Sequence, residues 1–351
     1  MRNGRRGTHV DGPRKLTIRD IAAIAGVSAG TVSRAMNGQA GVGEETRQRI
    51  ARIIDEHGFK VDPTARQLST GRSDTIAVVF PLHASEVVMH PVYPALLGAL
   101  GDAAEHAGFD LLLLTSSTQK VAHVLDTVKR RRVDGVVLPA AGAHDPLIKR
   151  LTGIGAPTVL IGHRSSLSGV GWVDCTHDVA ARDLTRGMLA AGRTDLVLLN
   201  GPPRVSACKL RSAGFWAAVK EAGDAVGSAR EVSVPFDTAA AAAAADEVLA
   251  GDIPPTGVVC SSDTIAAGVL DSARRAGLKV PDDLAVSGFD DRSFATHTSP
   301  PLTTVRMPLH DTGQAAATML FAMIGGEPLP SRRVILPTEI VPRGSTPAGM
   351  L

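Results

Sequence analysis

From residue 74 onward the chain alternates short apolar runs with longer amphipathic stretches, a pattern that few architectures accommodate. The runs Ile76 to Phe80, Leu111 to Leu114, Val136 to Leu138, Val159 to Ile161, Leu196 to Leu199, Val258 to Cys260 and Leu284 to Phe289 are apolar at nearly every position. Strands buried on both faces require this. Between them, Ala95 to Ala107, Val121 to Arg131, Val179 to Ala191, Ala207 to Ala222 and Thr264 to Ala276 carry helical spacing. The alternation predicts parallel sheets covered by helices on both sides. Eight or more strands over about 270 residues imply two doubly wound lobes. Ligands of such sheets bind beyond the carboxyl ends of the strands, so a cleft between lobes is the expected site.

The first 72 residues differ in kind. They hold 13 Lys and Arg against 7 Asp and Glu, a net of +6, whereas the remaining residues hold 24 against 28, a net of −4. That asymmetry predicts a polyanion-binding head on a near-neutral body. Arg2, Arg5, Arg6, Arg14 and Lys15 taken alone would also suit a solvated basic tail. A length of 351 residues allows two or three domains. Three dispersed cysteines exclude a disulfide framework or a structural zinc site. No apolar run is long enough to span a membrane and no secretory signal opens the chain, so a reducing cytoplasm is expected.

Thr17 precedes Ile18, Ile21, Ala22 and Ala25, an apolar stripe at helical spacing, with Asp20 placed to close a capping box. Gly26 breaks this helix, and Ser28 is set to cap a second one that turns Val32, Ala35 and Met36 inward. A third pattern, Ile50, Ile53, Ile54 and His57, follows Glu44 and Glu45 and ends at Gly58. The second helix presents Gly30, Ser33, Arg34 and Asn37 opposite its core residues, with Ala29 at its exposed start. Small residues admit close approach, while hydroxyl, guanidinium and amide groups can bond phosphates or base edges in a major groove. This is the pattern of a helix-turn-helix with its recognition helix. The segment Gly26-Val27-Ser28-Ala29-Gly30 also fits the GxSxG nucleophile elbow, but that motif needs a strand before the serine, and here a helix precedes it.

The run from Leu16 to Ala22, Ala25-Gly26-Val27-Ser28, Thr31 to Asn37, and Asp62 to Leu68 followed by Gly71-Arg72 resembles the head of the lactose/galactose repressor (LacI/GalR) family of bacterial transcription regulators. The resemblance implies a hinge helix after the head, with Leu68 as an apolar wedge in the minor groove at the operator centre. A segment that short cannot hold a helix alone in water, so it would order only with DNA and a partner copy. Asp62 stands where the family more often has Asn, which removes a phosphate contact there. The implied DNA-contacting set is Thr17, Ser28, Ala29, Gly30, Thr31, Ser33, Arg34, Asn37, Arg66 and Leu68.

For the body, the resemblance implies a periplasmic-binding-protein-like fold whose chain crosses between lobes three times, with about Pro308 to Gly325 returning to the first lobe. The divisions expected are a basic tail to residue 15, a DNA-binding domain 16–60, a hinge and linker 61–73, and an effector-binding and dimerisation body 74–345. Within the body, the first lobe takes about 74–174 plus 308–332, the second about 175–305 plus 333–345, and 346–351 is a tail. Asp290, in Gly288-Phe289-Asp290-Asp291, matches the family's hydroxyl acceptor in the effector cleft, and Arg211 matches an arginine that donates to the effector. Phe236 matches an aromatic stacked on the effector, Ser262 replaces a frequent Asn, and Tyr93 occupies a loop that lends an aromatic lid. His163, in Gly162-His163-Arg164, replaces the usual acidic residue, and Met307 and Leu309 make the last crossover region more apolar. Plainer roles for these residues are a surface ion pair for Arg211 and core packing for Phe236.

The function expected is therefore a repressor, binding a pseudo-palindromic operator as a homodimer under control of a small effector, a sugar or related metabolite. Too few residues follow Arg343 for a tetramerising helix. No catalytic residue, metal ligand set or cofactor motif is found: there is no Walker lysine, no GxGxxG loop after a strand and no HExxH. The alternatives are a solute-binding protein, which has no use for a basic head, and a sugar- or nucleotide-processing α/β enzyme, which needs a phosphate loop.

Overall fold

A computed structural model describes residues 16–36, 40–59, 71–80, 87–88, 92–115, 121–139, 145–162 and 164–350, in two compact units that divide after Ser73. In the first unit, α1 (Ile18–Ala25) opens on the capping box: Thr17 Oγ1 accepts from the Asp20 amide, and the Thr17 amide donates to Asp20 Oδ2 at 2.7 Å. Gly26 stops the helix in the left-handed region at φ 65°, where a side chain would be strained. Ser28 Oγ then accepts from the Thr31 amide at 3.0 Å and starts α2 (Ala29–Met36). Glu44 and Glu45 begin α3 (Glu44–Glu56), where carboxylates suit the helix dipole. Ile21, Val32 and Ile50 close one small core with Phe59.

The second unit holds two lobes. The first is a parallel sheet in the order β11-β5-β4-β3-β1-β2, formed by β1 (Thr75–Phe80), β2 (Asp110–Thr115), β3 (Gly135–Pro139), β4 (Thr158–Ile161), β5 (Val170–Cys175) and β11 (Arg333–Leu336). Helices α4 (Tyr93–Ala107) and α11 (Leu309–Gly325) cover one face; α5 (Val121–Lys129) and α6 (Pro146–Gly153) cover the other. The second lobe is a parallel sheet in the order β7-β6-β8-β9, from β6 (Asp195–Asn200), β7 (Ser228–Ser233), β8 (Gly257–Cys260) and β9 (Ala285–Ser287). It is flanked by α7 (His177–Ala190), α8 (Ser206–Ala222), α9 (Thr238–Leu249) and α10 (Asp263–Arg275). Beside it, β10 (Thr304–Arg306) and β12 (Glu339–Val341) form an antiparallel pair.

The chain passes between lobes between β5 and α7, β10 and α11, and β11 and β12. These crossings are tied to each other: Thr176 Oγ1 and Thr338 Oγ1 lie 2.9 Å apart, and Cys175 Sγ faces Thr312 Oγ1 at 3.7 Å. Two expected boundaries are corrected. Arg333–Leu336 pairs with Trp172–Cys175 in the first sheet, so the last crossing falls at 337–338 and not at 333. The terminal segment is no loose tail, because Thr346 Oγ1 bonds Thr303 Oγ1 at 2.8 Å and Met350 is buried against the second lobe.

Candidate functional sites

On α2 the side opposite Val32 and Ala35 exposes Ser28, Gly30 and Arg34, with Ala29, Thr31 and Ser33 half-buried. The Arg34 side chain lies back along its helix, Nε donating to Gly30 O at 3.3 Å, which leaves a guanidinium on a surface without bulky neighbours at Gly30. Thr17 and Ser28 hydroxyls are already engaged as caps, so these two position backbone amides before anything else. Asn37, Arg66 and Leu68 lie outside the described residues.

The body's site is built where the crossovers of the second sheet diverge, between β6 and β8. Gly201 follows β6 and its amide donates to Ser261 Oγ at 2.7 Å; a Cβ on Gly201 would collide with Phe236 Cζ and Cε1, so the tip of the half-buried Phe236 ring packs against this backbone. Arg211, on α8, is only 5 % exposed. Its Nη1 donates to Ser261 O, its Nη2 lies 3.3 Å from His177 Nδ1 and 3.7 Å from Asp290 Oδ1, and its guanidinium sits 3.9 Å from the centre of the Phe289 ring. Behind it, His177 Nε2 faces Asp174 Oδ1 at 3.3 Å, and Asp174 Oδ2 accepts from Arg164 Nε at 2.8 Å. Arg211 and Asp290, 79 positions apart in sequence, are thus brought together as expected.

The other residues expected at the site lie as follows. Tyr93 is buried in the first lobe's core, its ring 4.6 Å from that of Phe80, and burial pushes its phenol up to about 12. Ser262 is 1 % exposed and caps α10, accepting from the Ile265 amide at 3.1 Å, because a helix beginning directly after β8 has orphan amides to satisfy. His163 lies outside the described residues. Conversely, His177, Asp174, Arg164 and Phe289 were not singled out from sequence; a charged residue inside an otherwise apolar strand, Asp174 in β5, was the available signal.

Two buried carboxyls adjoin the site. Asp290 sits at φ 106°, and burial pushes its carboxyl up to about 6 against the opposing charges of Arg211 and Arg292. Asp263, fully buried at the start of α10, is pushed up to about 7 by burial, although Thr304 Oγ1 and the Arg292 amide donate to it. Both folded values lie above the ordinary 3.8, so between about pH 4 and 7 the folded state holds protons that the unfolded chain has lost. Their contribution is fully present below the unfolded value and is lost as pH rises through the folded one, at about 1.4 kcal/mol per unit of separation. We therefore expect these two carboxyls to make the body melt higher at pH 5.5 than at pH 8, buried His177, held below its ordinary value, pulling the other way, and Asp263→Asn to raise the melting temperature at pH 8 and flatten the profile. A profile that Asp263→Asn leaves unchanged would exclude this assignment.

The described residues hold no group of three or more His, Cys, Asp or Glu suited to a metal ion, and no helix among them is long and apolar enough to cross a membrane. Residues 17–62 match the model of bacterial regulatory proteins of the lacI family, and residues 185–346 match that of the periplasmic binding protein-like domain. The HTH-type transcriptional regulator reg1 of Streptomyces lividans is 33 % identical over 347 residues, covering 94 % of this chain and 96 % of that protein. The solved complex of the transcriptional regulator CelR with cellobiose is 29 % identical with a TM-score of 0.72, covering 94 % of this chain and all of that one. The lac repressor dimer bound to operator and the anti-inducer ONPF shares the fold, at 22 % identity and a TM-score of 0.78, over 95 % of this chain and all of that one. With a capped helix-turn-helix in front of a two-lobed body, and a relative aligned over almost its whole length, the chain belongs to the lacI family of bacterial regulatory proteins and is a DNA-binding transcriptional regulator.

Proposed function

We propose that this regulator represses transcription by binding a pseudo-palindromic operator as a homodimer, and that a small polyhydroxylated effector, a sugar or a related metabolite, enters the cleft at Arg211 and Asp290. The observation that carries the second half is the buried Arg211–Asp290 pair at the divergence of the second sheet's crossovers, a cationic donor and an anionic acceptor 3.7 Å apart. A guanidinium fork and a carboxylate together match vicinal hydroxyls. The cellobiose in the CelR complex and the operator and anti-inducer on the lac repressor dimer support the same reading. Phe236 would supply an apolar face and His163 a further polar contact; the protein has no enzymatic role and works in the cytoplasm. Operator contact is assigned to Thr17, Ser28, Ala29, Gly30, Thr31, Ser33 and Arg34, and to Asn37, Arg66 and Leu68.

Effector and operator are coupled reciprocally, so each changes the affinity of the other by the same factor. The test is selection from random duplex DNA by the full-length protein, then titration of the winning sequence against salt and against a metabolite panel. A palindrome, a steep fall of affinity with salt, and a change of affinity, up or down, with a panel member are the expected results. Flat enrichment by folded protein, with and without metabolite extract, would sink the proposal. In the same assay Arg34→Ala is expected to cost about ten- to a hundredfold on the selected sequence, from the roughly 1–3 kcal/mol of a bidentate base contact, and to relax selectivity at one position per half-site. A uniform loss on all sequences would instead make Arg34 a phosphate contact.

A further inference from the structure

Arg211 is the residue the effector reading depends on, yet nothing about an arginine on a helix keeps its guanidinium in one pose. Four contacts do so here. Ser261 O accepts from Nη1, Phe289 lies under the plane, Asp290 approaches Nη2, and His177 Nδ1 stands 3.3 Å from Nη2. The first three belong to the second lobe's own strand ends. The fourth leads out of that lobe: His177 is the first residue of α7, directly after the crossing from β5, and its other ring nitrogen faces Asp174 of the first lobe's sheet at 3.3 Å.

The chemistry of this pair of contacts determines the state of the ring. Arg211 can only donate, so Nδ1 has to accept and carries no proton. The ring proton then sits on Nε2, on the side of the Asp174 carboxylate, whose Oδ1 lies 3.3 Å away as a charge contact outside hydrogen-bond alignment. The charges around His177 are Asp174 from β5, Arg211 from α8, Arg164 from the segment after β4, Asp290 behind Arg211, and Asp178 on its own helix, 3.5 Å from Arg164. Asp174 balances Arg164 and Asp290 balances Arg211, which leaves a neutral imidazole as the fitting member. Burial, with Arg211 and Arg164 adding to it and Asp174 opposing, depresses its proton affinity, in agreement with the geometry.

We propose that His177 is a positioning residue for the effector arginine: a neutral imidazole, protonated on Nε2 on the side that faces the Asp174 carboxylate, that accepts from Arg211 and so ties the pose of the effector's cationic contact to strand β5 of the opposite lobe. The proposal rests on the reading of Arg211 given above. A lobe movement that displaces β5 then releases or strains Arg211, and an effector that holds Arg211 holds the lobes. A second-sphere acid that fixes the tautomer of a histidine is a general device for orienting its partner.

The test uses full-length protein labelled with nitrogen-15 histidine, with the His177 resonance identified by its loss in His177→Asn. Long-range proton–nitrogen spectra are expected to show the Nε2-protonated neutral tautomer, unchanged from about pH 7.5 to about pH 6 although an ordinary histidine titrates there. An imidazolium pattern or the Nδ1-protonated tautomer would overturn the proposal. His177→Leu removes the acceptor, and His177→Asn keeps one near the place of Nδ1. In a thermal-shift titration with free hexoses, cellobiose and nucleosides, any compound that stabilises the parent protein should bind His177→Leu about tenfold or more weakly, and His177→Asn within about threefold. Equal binding by parent and His177→Leu would refute the positioning role. If no compound stabilises the parent protein, the effector reading is what fails, while the imidazole spectrum still decides the tautomer.

Discussion

Arg211→Leu is expected to abolish the response to effector while operator affinity, measured without effector, stays within about threefold of the parent. The guanidinium is held by Ser261 O and His177 and lies against Phe289, so it is presented to a ligand without the rotamer cost that a surface arginine would incur. Truncating one partner of a buried, hydrogen-bonded charge pair costs about 2–5 kcal/mol of binding, on the order of thirtyfold to several thousandfold. Asp290, deprived of its cation, would then titrate higher still, because burial is already its dominant influence. Arg211→Lys keeps the charge but loses the fork, and should fall between the two. Effector titrations followed by operator release provide the measurement; a normal response in Arg211→Leu would remove Arg211 from the site.

Gly214→Val should fail to give a stable body, and Gly214→Ala should already lower its melting temperature by about 4–10 °C. A Cβ at Gly214 would stand 2.1 Å from Asp178 O and 3.0 Å from the Arg182 amide, both backbone atoms of α7. No side chain can rotate out of the way, so α7 and α8 must move apart. Overpacking of this kind costs roughly 1–3 kcal/mol and more for a larger residue, each kcal/mol being about 2–4 °C in a body of this size. Moving α7 also shifts His177 at its first turn, so the surviving Ala variant should bind effector more weakly. Gly98→Ala is the control: it sits exposed in the middle of α4 with nothing within 4 Å of the added carbon, and should stabilise by about 0.5–1 kcal/mol. Circular dichroism melts of the three variants settle the point, and equal effects at positions 98 and 214 would contradict the packing described.

The head was readable because its determinants are local. The Thr17–Asp20 capping box, the left-handed Gly26 and the Ser28 cap each act over three residues, and the apolar positions of α1, α2 and α3 need only each other to form a core. The repeated strand and helix pattern likewise announced two parallel sheets. What it missed had no periodic signal. Among the described residues the polar strand β7 is an edge that pairs only with β6, and β5 interrupts its apolar run with Gly171 and Asp174. The alanine-rich α9 has no apolar face to detect; small residues let it lie against α10, where a Cβ on Gly268 would meet Thr238 O at 2.5 Å.

The site divides the same way. Arg211 and Asp290 carried a motif, and the fold joined them. The surroundings of Tyr93 and Ser262 depended on how nearby segments pack: Phe80 in the first lobe's core for Tyr93, and for Ser262 the end of β8 just before it, which makes it a cap. The partners of Arg211 lie 34 and 50 residues away at His177 and Ser261, and Asp174 is reached only through the imidazole. By itself, then, the sequence determined a DNA-reading head and a two-lobed body, since capping, periodicity and charge asymmetry act through near neighbours along the chain. Tertiary structure alone decided which lobe received β11 and which groups surround the buried arginine, because contacts between segments depend on where each crossing places its strand, and periodicity names a buried face without naming what covers it.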